Sequence, residues 1–166
     1  MIQKKICTIG ASGVGKTSLL SRFVQSIFNE NHLTTIGVKI DKKIVHIADQ
    51  EVMLILWDLA GEDEFSQVQT RYLRGAAGYL LVADRSRPDT LETAFTLKAK
   101  IENELGETPF ILVFNKSDLV DELKIDKSAI DQQAQSGFAV IETSAKTGQG
   151  VEEAFLSLTR RLLDKQ

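Results

Sequence analysis

One glycine-rich octapeptide carries residue types that can bind a phosphate chain. Gly10-Ala11-Ser12-Gly13-Val14-Gly15-Lys16-Thr17 fits the pattern G-x-x-x-x-G-K-[ST] and lies between an apolar run and a helical pattern, as the pattern requires. Its glycines allow backbone N–H groups and the positive end of the following helix to point at a phosphate. Lys16 would reach the β- and γ-phosphates, and Thr17 would ligate Mg²⁺. The motif leaves open whether the nucleotide is ATP or GTP.

Two polar segments that follow apolar runs could select the base. Asn115-Lys116-Ser117-Asp118 follows one run, and Glu142-Thr143-Ser144-Ala145-Lys146 follows the next. A carboxylate can accept two parallel N–H bonds from guanine, whereas adenine offers no such pair of donors on that edge. We expect Asp118 to make that contact and the Ala145 N–H to face the guanine oxygen. Lys116 would lie along the base, and Asn115 would tie the loop together.

A third segment, Trp57-Asp58-Leu59-Ala60-Gly61, also follows an apolar run and offers a carboxylate for a metal. An acidic residue at a strand end opposite a phosphate-binding loop can hold a metal-bound water. Asp58 is therefore predicted to be the second Mg²⁺ anchor, and the Gly61 N–H is predicted to contact the γ-phosphate. A helix N-cap is the alternative role for Asp58, and Trp57 is interpreted as a core residue.

The elements that must position these segments follow from the alternation of apolar runs with helical patterns. Strands are predicted at Lys4–Ile9, Val38–Ile47, Val52–Trp57, Tyr79–Ala83, Phe110–Phe114 and Phe138–Ile141. Helices are predicted at Lys16–Ser26, Thr90–Leu105, Asp126–Gln135 and Val151–Leu163. Such alternation predicts an α/β fold with a mostly parallel sheet, helices on both faces and ligands at the carboxyl ends of the strands. The second and third strands, joined at Ala48-Asp49-Gln50, should form an antiparallel hairpin.

The composition excludes several classes of function. The chain has 166 residues, of which 43% are hydrophobic and 26% charged, and its formal net charge of -3 gives no basic surface for nucleic acid. We expect a single domain over residues 1–166 and no nucleic-acid partner. Cys7 is the one cysteine and lies in an apolar run, so a small buried hydrophobe in a reducing compartment is predicted. Without a signal segment or an apolar run of about 20 residues, the sequence predicts a cytoplasmic protein.

Taken in order, the motifs resemble those of the small GTPases of the Ras superfamily. The resemblance rests on Gly10–Thr17, Thr35-Ile36-Gly37, Trp57–Gly61, Asn115–Asp118 and Ser144–Lys146, and it covers essentially the whole chain. Tyr72-Leu73-Arg74-Gly75-Ala76 is similar to the Rab branch in particular. The resemblance implies a P-loop NTPase of the Ras-like G-domain type, with six strands, one of them antiparallel, and about five helices.

The resemblance also implies roles for individual residues. Thr35 would close over Mg²⁺ through its hydroxyl, joining Thr17 and Asp58 as metal ligands, and Phe28 would pack edge-on against the base. The catalytic set would comprise Lys16, Thr35, Gly61 and Glu62. The full set of expected nucleotide contacts is Ser12, Gly13, Val14, Gly15, Lys16, Thr17, Ser18, Phe28, Asn115, Lys116, Asp118, Leu119, Ser144, Ala145 and Lys146.

Glu62 departs from the family pattern, in which a glutamine usually follows Asp-x-Ala-Gly and orients the attacking water. A carboxylate can accept from water but cannot donate, and it adds negative charge beside a γ-phosphate. We therefore expect intrinsic hydrolysis to be slow or to use a different way of positioning water. His32, where the family often has a tyrosine, is interpreted as solvated. Arg85 and Arg87 follow the fourth predicted strand, away from the expected phosphate end, and are interpreted as surface charge.

These expectations describe a Mg²⁺-dependent GTP/GDP switch whose partner proteins would bind Ile36–Ile47 and Phe65–Leu73. One alternative is a module that holds GTP and hardly hydrolyses it, which Glu62 keeps open. A second alternative is a P-loop kinase or ATPase, which Asp118 and Ala145 argue against. The last residues carry no cysteine for a prenyl group, so no direct membrane anchor is expected.

Overall fold

The computed structural model describes residues 1–25, 38–59 and 71–164. Within these ranges the chain forms six strands and four helices. The strands are β1 (Ile2–Gly10), β2 (Lys39–Ile47), β3 (Gln50–Asp58), β4 (Gly78–Asp84), β5 (Phe110–Asn115) and β6 (Val140–Glu142). The helices are α1 (Lys16–Gln25), α2 (Asp89–Leu105), α3 (Lys127–Gln135) and α4 (Val151–Asp164).

The six strands form one sheet in the order β2-β3-β1-β4-β5-β6. Strand β2 runs antiparallel to β3, whereas β3, β1, β4, β5 and β6 run parallel to one another. This is the mixed α/β sheet that the sequence predicts, with four helices in the described ranges where about five were expected. Because the chain leaves β1 toward one side of the sheet and later continues on the other, the carboxyl end of β1 is a topological switch point, where α/β proteins bind ligands.

The β2–β3 hairpin was predictable because its residues alternate between buried and more exposed positions. Buried Val52, Leu54 and Leu56 alternate with more exposed neighbours along β3, which is the period of a strand with two different faces. The closing pair is Ile47 with Gln50, so Ala48 and Asp49 form the turn. Ala48 has a φ of 53°, a left-handed conformation that costs energy for a residue with a Cβ atom.

Two hydrophobic layers cover the faces of the sheet. On one face, α1 and α4 contribute Leu19, Leu20, Phe23, Ala154, Phe155, Leu158 and Leu162. On the other face, α2 and α3 contribute Ala94, Leu97, Ile101 and Ile130. Strand β4 lies between the layers and is buried along its whole length. Cys7 is fully buried in this core, as the sequence predicts, and burial raises the pKa of its thiol to about 12.

Candidate functional site

The glycine-rich loop connects the end of β1 to the start of α1. Gly10 is the last residue of β1, and Lys16 is the first residue of α1. Gly15 has a φ of 101°, and a Cβ atom built on it would lie 2.3 Å from Nδ2 of Asn115. A side chain at this position would therefore strain the backbone and collide with the last residue of β5. The loop requires glycine here because another strand end packs directly against it.

Lys16 is held inside this loop by the loop's own carbonyl groups. Its Nζ atom donates to the carbonyl oxygens of Gly10 at 3.0 Å and Ala11 at 2.9 Å, and the residue is 7% exposed. These bonds hold the ammonium against the backbone of the loop. A buried cation in a glycine-rich loop at a helix N-terminus is suited to bind an anion such as a phosphate chain.

Asp58, the last residue of β3, faces the first turn of α1. Its Oδ2 atom accepts a hydrogen bond from Oγ1 of Thr17, and its Oδ1 atom accepts one from Oγ1 of Thr8 at 3.2 Å. Burial raises the pKa of the Asp58 carboxyl, although the hydrogen bond from Thr17 and the nearby Lys16 ammonium act in the opposite direction. The carboxylate therefore sits in an environment that a further positive charge would improve.

The same residues fit a Mg²⁺ site. Hydroxyl and carboxylate oxygens are the hard donors that this ion prefers, and those of Thr17 and Asp58 are already in contact. A divalent cation between them would also compensate the buried charge of Asp58. Thr35, the third expected ligand, lies outside the described residues.

Asn115 joins the glycine-rich loop to the segment after β6. Its Nδ2 atom donates to the carbonyl oxygen of Val14 at 2.9 Å. Its Oδ1 atom accepts from Oγ1 of Thr143 at 2.9 Å and from the backbone N–H of Ala145 at 3.3 Å. One side-chain amide thus fixes the relative positions of three segments that are far apart in sequence.

Lys116 adds a second link between the strand ends. It has a φ of 66°, and its Nζ atom donates to the carbonyl oxygen of Gly13 at 2.9 Å. The same atom lies 2.9 Å from Oδ2 of Asp84, the last residue of β4. Burial by itself would raise the pKa of Asp84, but hydrogen bonds from Ser86 and Lys116 outweigh it and hold that pKa below its usual range. The lysine is therefore stretched across the glycine-rich loop and anchored at a buried carboxylate.

Asp118 borders a cavity of about 180 Å³ beside the loop. Its Oδ1 atom accepts a hydrogen bond from Oγ of Ser144 at 2.8 Å, and that hydroxyl accepts one from the backbone N–H of Thr147 at 3.1 Å. The cavity is lined by Gly15, Ser18, Asn115, Lys116, Asp118, Leu119, Ala145 and Lys146, all of which are among the expected nucleotide contacts. An oriented carboxylate at the edge of such a cavity can accept two N–H bonds from a planar base.

Sequence reasoning gave no role to two residues that the structure places in this network. Asp84 anchors Lys116, and Thr143 anchors Asn115. Asp84 is an acidic residue at the end of an apolar run, which is the signal that identified Asp58, and it could have been found in the same way. Thr143 offers no such signal, because a threonine beside a strand is common and its partner is remote in sequence.

The interpretation of Arg85 as surface charge was wrong. Its side chain is 7% exposed, and its Nη1 atom lies 3.0 Å from Oε1 of Glu142. Its Nε atom donates to the carbonyl oxygen of Ile125 at 3.0 Å, and Nη1 also donates to Oγ of Ser117 at 3.3 Å. Arg85 therefore links the turn after β4 to the loop after β5 and to the end of β6. An arginine can be buried in this way when its N–H groups have hydrogen-bond partners.

The placement of Arg87 away from the phosphate end was also wrong. Its Nη1 atom donates to the carbonyl oxygen of Ser12 at 3.0 Å, so the guanidinium lies against the rim of the glycine-rich loop. The side chain is 41% exposed. The error arose because the position of Arg87 after β4 in the sequence does not reveal that its side chain reaches the loop after β1.

Several expected site residues lie outside the described residues. They are Phe28, His32, Thr35, Ile36 and Gly37 after α1, and Ala60, Gly61, Glu62 and Phe65 after β3. Their expected roles stay predictions. Trp57 belongs to the described part and packs, half-buried, against the core layer that includes α2.

A glycine-rich phosphate-binding loop between the first strand and first helix of a mixed α/β sheet defines a P-loop nucleotide-binding protein. The model of the Ras family matches residues 5–164 of the chain. The chain is 37% identical over 163 residues to Ras-related protein Rab-13 of Bos taurus and to Ras-related protein Rab-1D of Dictyostelium discoideum, an overlap of 97% of this chain and 80% of each relative. The chain therefore belongs to the Ras family and is a Rab-like small GTPase. Membership supports GTP binding and GTPase activity in general.

The membership also confirms the Ras-like G-domain fold that the motifs predict. Across the ranges described by the structure, no helix is long and apolar enough to span a bilayer.

Proposed function

We propose that this chain is a Mg²⁺-dependent switch that binds GTP and GDP at the cavity beside Asp118 and presents two nucleotide-sensitive loops to partner proteins. The observation that carries the proposal is the pair of links made by Asn115, which joins the glycine-rich loop to the segment that holds Asp118 in place. Phosphate-binding and base-binding groups are thereby held at one edge of the sheet. Such an arrangement is suited to a nucleotide, whose base and phosphates need binding groups at the same edge of the sheet.

The base would be selected by Asp118. The hydrogen bond from Ser144 orients the carboxylate, and each carboxylate oxygen retains capacity to accept an N–H bond from guanine. The N–H of Ala145 would face the guanine oxygen, and Lys116 and Phe28 would flank the base. An adenine in the same position would present no matching pair of donors to the carboxylate.

The phosphate chain would occupy the glycine-rich loop. Lys16 would leave the carbonyl groups of Gly10 and Ala11 to bind the β- and γ-phosphates, and Thr17, Asp58 and Thr35 would hold Mg²⁺. The bound ion would neutralise phosphate charge. Gly61 would donate its N–H to the γ-phosphate, so loss of that group would release the segments that carry Thr35 and Gly61.

Partner proteins would bind Ile36–Ile47 and Phe65–Leu73, and their binding would depend on whether the γ-phosphate is present. The described part of the first segment includes β2, which lies at an edge of the sheet and exposes 44% of Ile44. An edge strand with an exposed apolar side chain is suited to contact another protein. We further propose a cytoplasmic protein whose association with membranes, where it occurs, is peripheral.

A displacement assay tests the central part of this proposal. Protein loaded with a fluorescent GDP analogue in Mg²⁺ should release it in competition with micromolar GTP or GDP and should ignore ATP at the same concentration. Chelation of Mg²⁺ should accelerate the release, because an ion held by Thr17 and Asp58 would neutralise phosphate charge. Equal competition by ATP would refute base selection by Asp118.

Hydrolysis is expected to be slow without a partner, because Glu62 replaces the usual glutamine. In single-turnover assays on GTP-loaded protein, Glu62→Gln should hydrolyse GTP faster than the wild type, since the amide can both accept from water and donate to the phosphoryl oxygens. The exposed Glu152→Gln on α4 is a matched control for loss of one negative charge. An unchanged or slower rate in Glu62→Gln would remove the argument.

Glu62 also supports a second candidate function, a GTP sensor with negligible hydrolysis. This candidate predicts tight GTP binding with phosphate release at the background rate in the wild type. It predicts the same background rate in Glu62→Gln if other catalytic groups are missing too. Measurable wild-type turnover would exclude it.

A further inference from the structure

We propose that Arg87 is a phosphate-contacting catalytic residue of this GTPase, an arginine supplied by the chain itself to the reacting end of the nucleotide. The inference rests on the proposed function. Its basis is the position of the guanidinium, whose Nη1 atom lies 3.0 Å from the carbonyl oxygen of Ser12 on the rim of the glycine-rich loop. A Cβ atom built on Gly13 would lie 3.2 Å from the same nitrogen, so the guanidinium contacts Ser12 and lies close to Gly13.

Within the described residues, the contacts of Arg87 leave most of its donors available. One N–H group is used by Ser12, and arginine carries five. Among the described residues, Arg87 forms an ion pair with Asp84 at 3.9 Å from Oδ2, whereas that same atom lies 2.9 Å from Nζ of Lys116. The other oxygen of Asp84 accepts from the backbone N–H and the hydroxyl of Ser86 at 2.8 and 2.7 Å. Asp84 is thus chiefly engaged by Lys116 and Ser86, and the charge of Arg87 is weakly paired.

Hydrogen bonds hold the turn between β4 and α2, which carries Arg87. The backbone N–H of Arg87 donates to the carbonyl oxygen of Asp84 at 2.9 Å, and the carbonyl oxygen of Arg87 accepts from Oγ1 of the buried Thr90 at 2.7 Å. Pro88 and the start of α2 follow directly. A guanidinium on a fixed turn is preorganised, so little reorganisation is needed when charge develops beside it.

The chemistry that Arg87 would assist is the attack of water on the γ-phosphorus. A bond forms between that phosphorus and the water oxygen while its bond to the β–γ bridging oxygen breaks, and the electron pair stays on GDP. The proton of the water passes to the released phosphate. Arg87 would transfer no proton; its N–H groups would stabilise the negative charge that builds on the phosphate oxygens.

Arg87→Ala and Arg87→Lys test the inference in single-turnover hydrolysis of preloaded GTP. Arg87→Ala should be slower by on the order of 100-fold, as for loss of one transition-state donor, and Arg87→Lys should be intermediate because it keeps the charge and loses the fork. Arg160→Ala, an exposed arginine on α4 that pairs with Glu153, is the matched control and should keep the wild-type rate.

A second measurement separates catalysis from mere support of the loop. GDP with aluminium fluoride mimics the transferring phosphoryl group, so Arg87→Ala should lose affinity for that complex and keep its affinity for GDP alone. An unchanged hydrolysis rate in Arg87→Ala, or equal losses of affinity for GDP and for GDP with aluminium fluoride, would overturn this inference alone. A wild-type protein that binds no GTP would overturn the proposed function as well.

Discussion

Buried polar side chains at the strand ends hold the site together through hydrogen bonds that are matched at both ends. Asn115 donates to one loop and accepts from another, and Lys116 is anchored at Asp84. Removing one partner from such a pair leaves a buried group without compensation, which costs more than the bond contributes when intact. Asp84 and Thr143 thereby hold Lys116 and Asn115 in position at the edge of the cavity.

Asp84 gives a prediction with a defined pH dependence. Its pKa is held below the usual range in the folded protein, so the ionised carboxylate stabilises the fold above the pKa of the unfolded chain, and this contribution is lost as the pH falls through the folded value. Asp84→Asn should therefore lower the free energy of unfolding at neutral pH by about 1–3 kcal/mol.

Urea titrations of both proteins at several pH values check this prediction. The difference between wild type and Asp84→Asn should shrink as the pH falls below about 4, the usual pKa of an aspartate in an unfolded chain, and should be smallest once the pH is below the lowered pKa of the folded protein. Asp121→Asn, at an exposed position, controls for the loss of one charge. A difference that stays constant down to acid pH would show that the ionised carboxylate contributes nothing.

The helices and strands were predictable because their apolar periodicity extends over many residues. Helix α2 begins one residue before the predicted Thr90, and α1 extends to Gln25, whereas the last residue of its predicted range, Ser26, lies outside the described residues. Strand β6 was predicted from Phe138 and begins at Val140 instead. The ring of Phe138 packs against Phe95 and Phe110. Its apolar side chain therefore reflects this packing, and Phe138 is not part of the strand.

The turn of the β2–β3 hairpin offers a test of local backbone strain. Ala48 adopts a φ of 53°, which glycine adopts freely and alanine does not. Ala48→Gly should raise the free energy of unfolding by about 0.5–1 kcal/mol, the relief of strain exceeding the greater entropy of glycine in the unfolded chain. Chemical denaturation measures this difference.

The neighbouring residue is the control for that test. Asp49 shares the turn without a positive φ, so Asp49→Gly should be neutral or destabilising. Equal effects of glycine at both positions would contradict the strain explanation and indicate a general response of the turn to flexibility.

At the scale of the whole molecule, the sheet topology brings distant segments to one edge. Asn115 contacts Val14, which lies 101 residues earlier in the chain. The motifs predicted that these segments meet, because each follows a strand whose carboxyl end lies at the same edge. The partners of Arg85 and Arg87 were not predictable in this way, since they depend on the direction that each side chain takes from the turn after β4. Sequence spacing places residues at strand ends, whereas side-chain direction requires the folded chain.

The central claim is that the cavity beside Asp118 binds guanine selectively, and one equilibrium measurement tests it. The affinities of the wild type and of Asp118→Asn for GDP and for xanthosine diphosphate should be compared in Mg²⁺, with Asp121→Asn as control. The asparagine oxygen can still accept the ring N–H, and its amide N–H can donate to the oxygen that xanthine carries where guanine has its amine.

We predict that Asp118→Asn loses affinity for GDP by about 10- to 100-fold, as for loss of a hydrogen bond to a charged group, and gains affinity for xanthosine diphosphate. The wild type and Asp121→Asn should prefer GDP. An Asp118→Asn protein that binds GDP as tightly as the wild type, with no gain for xanthosine diphosphate, would contradict the account.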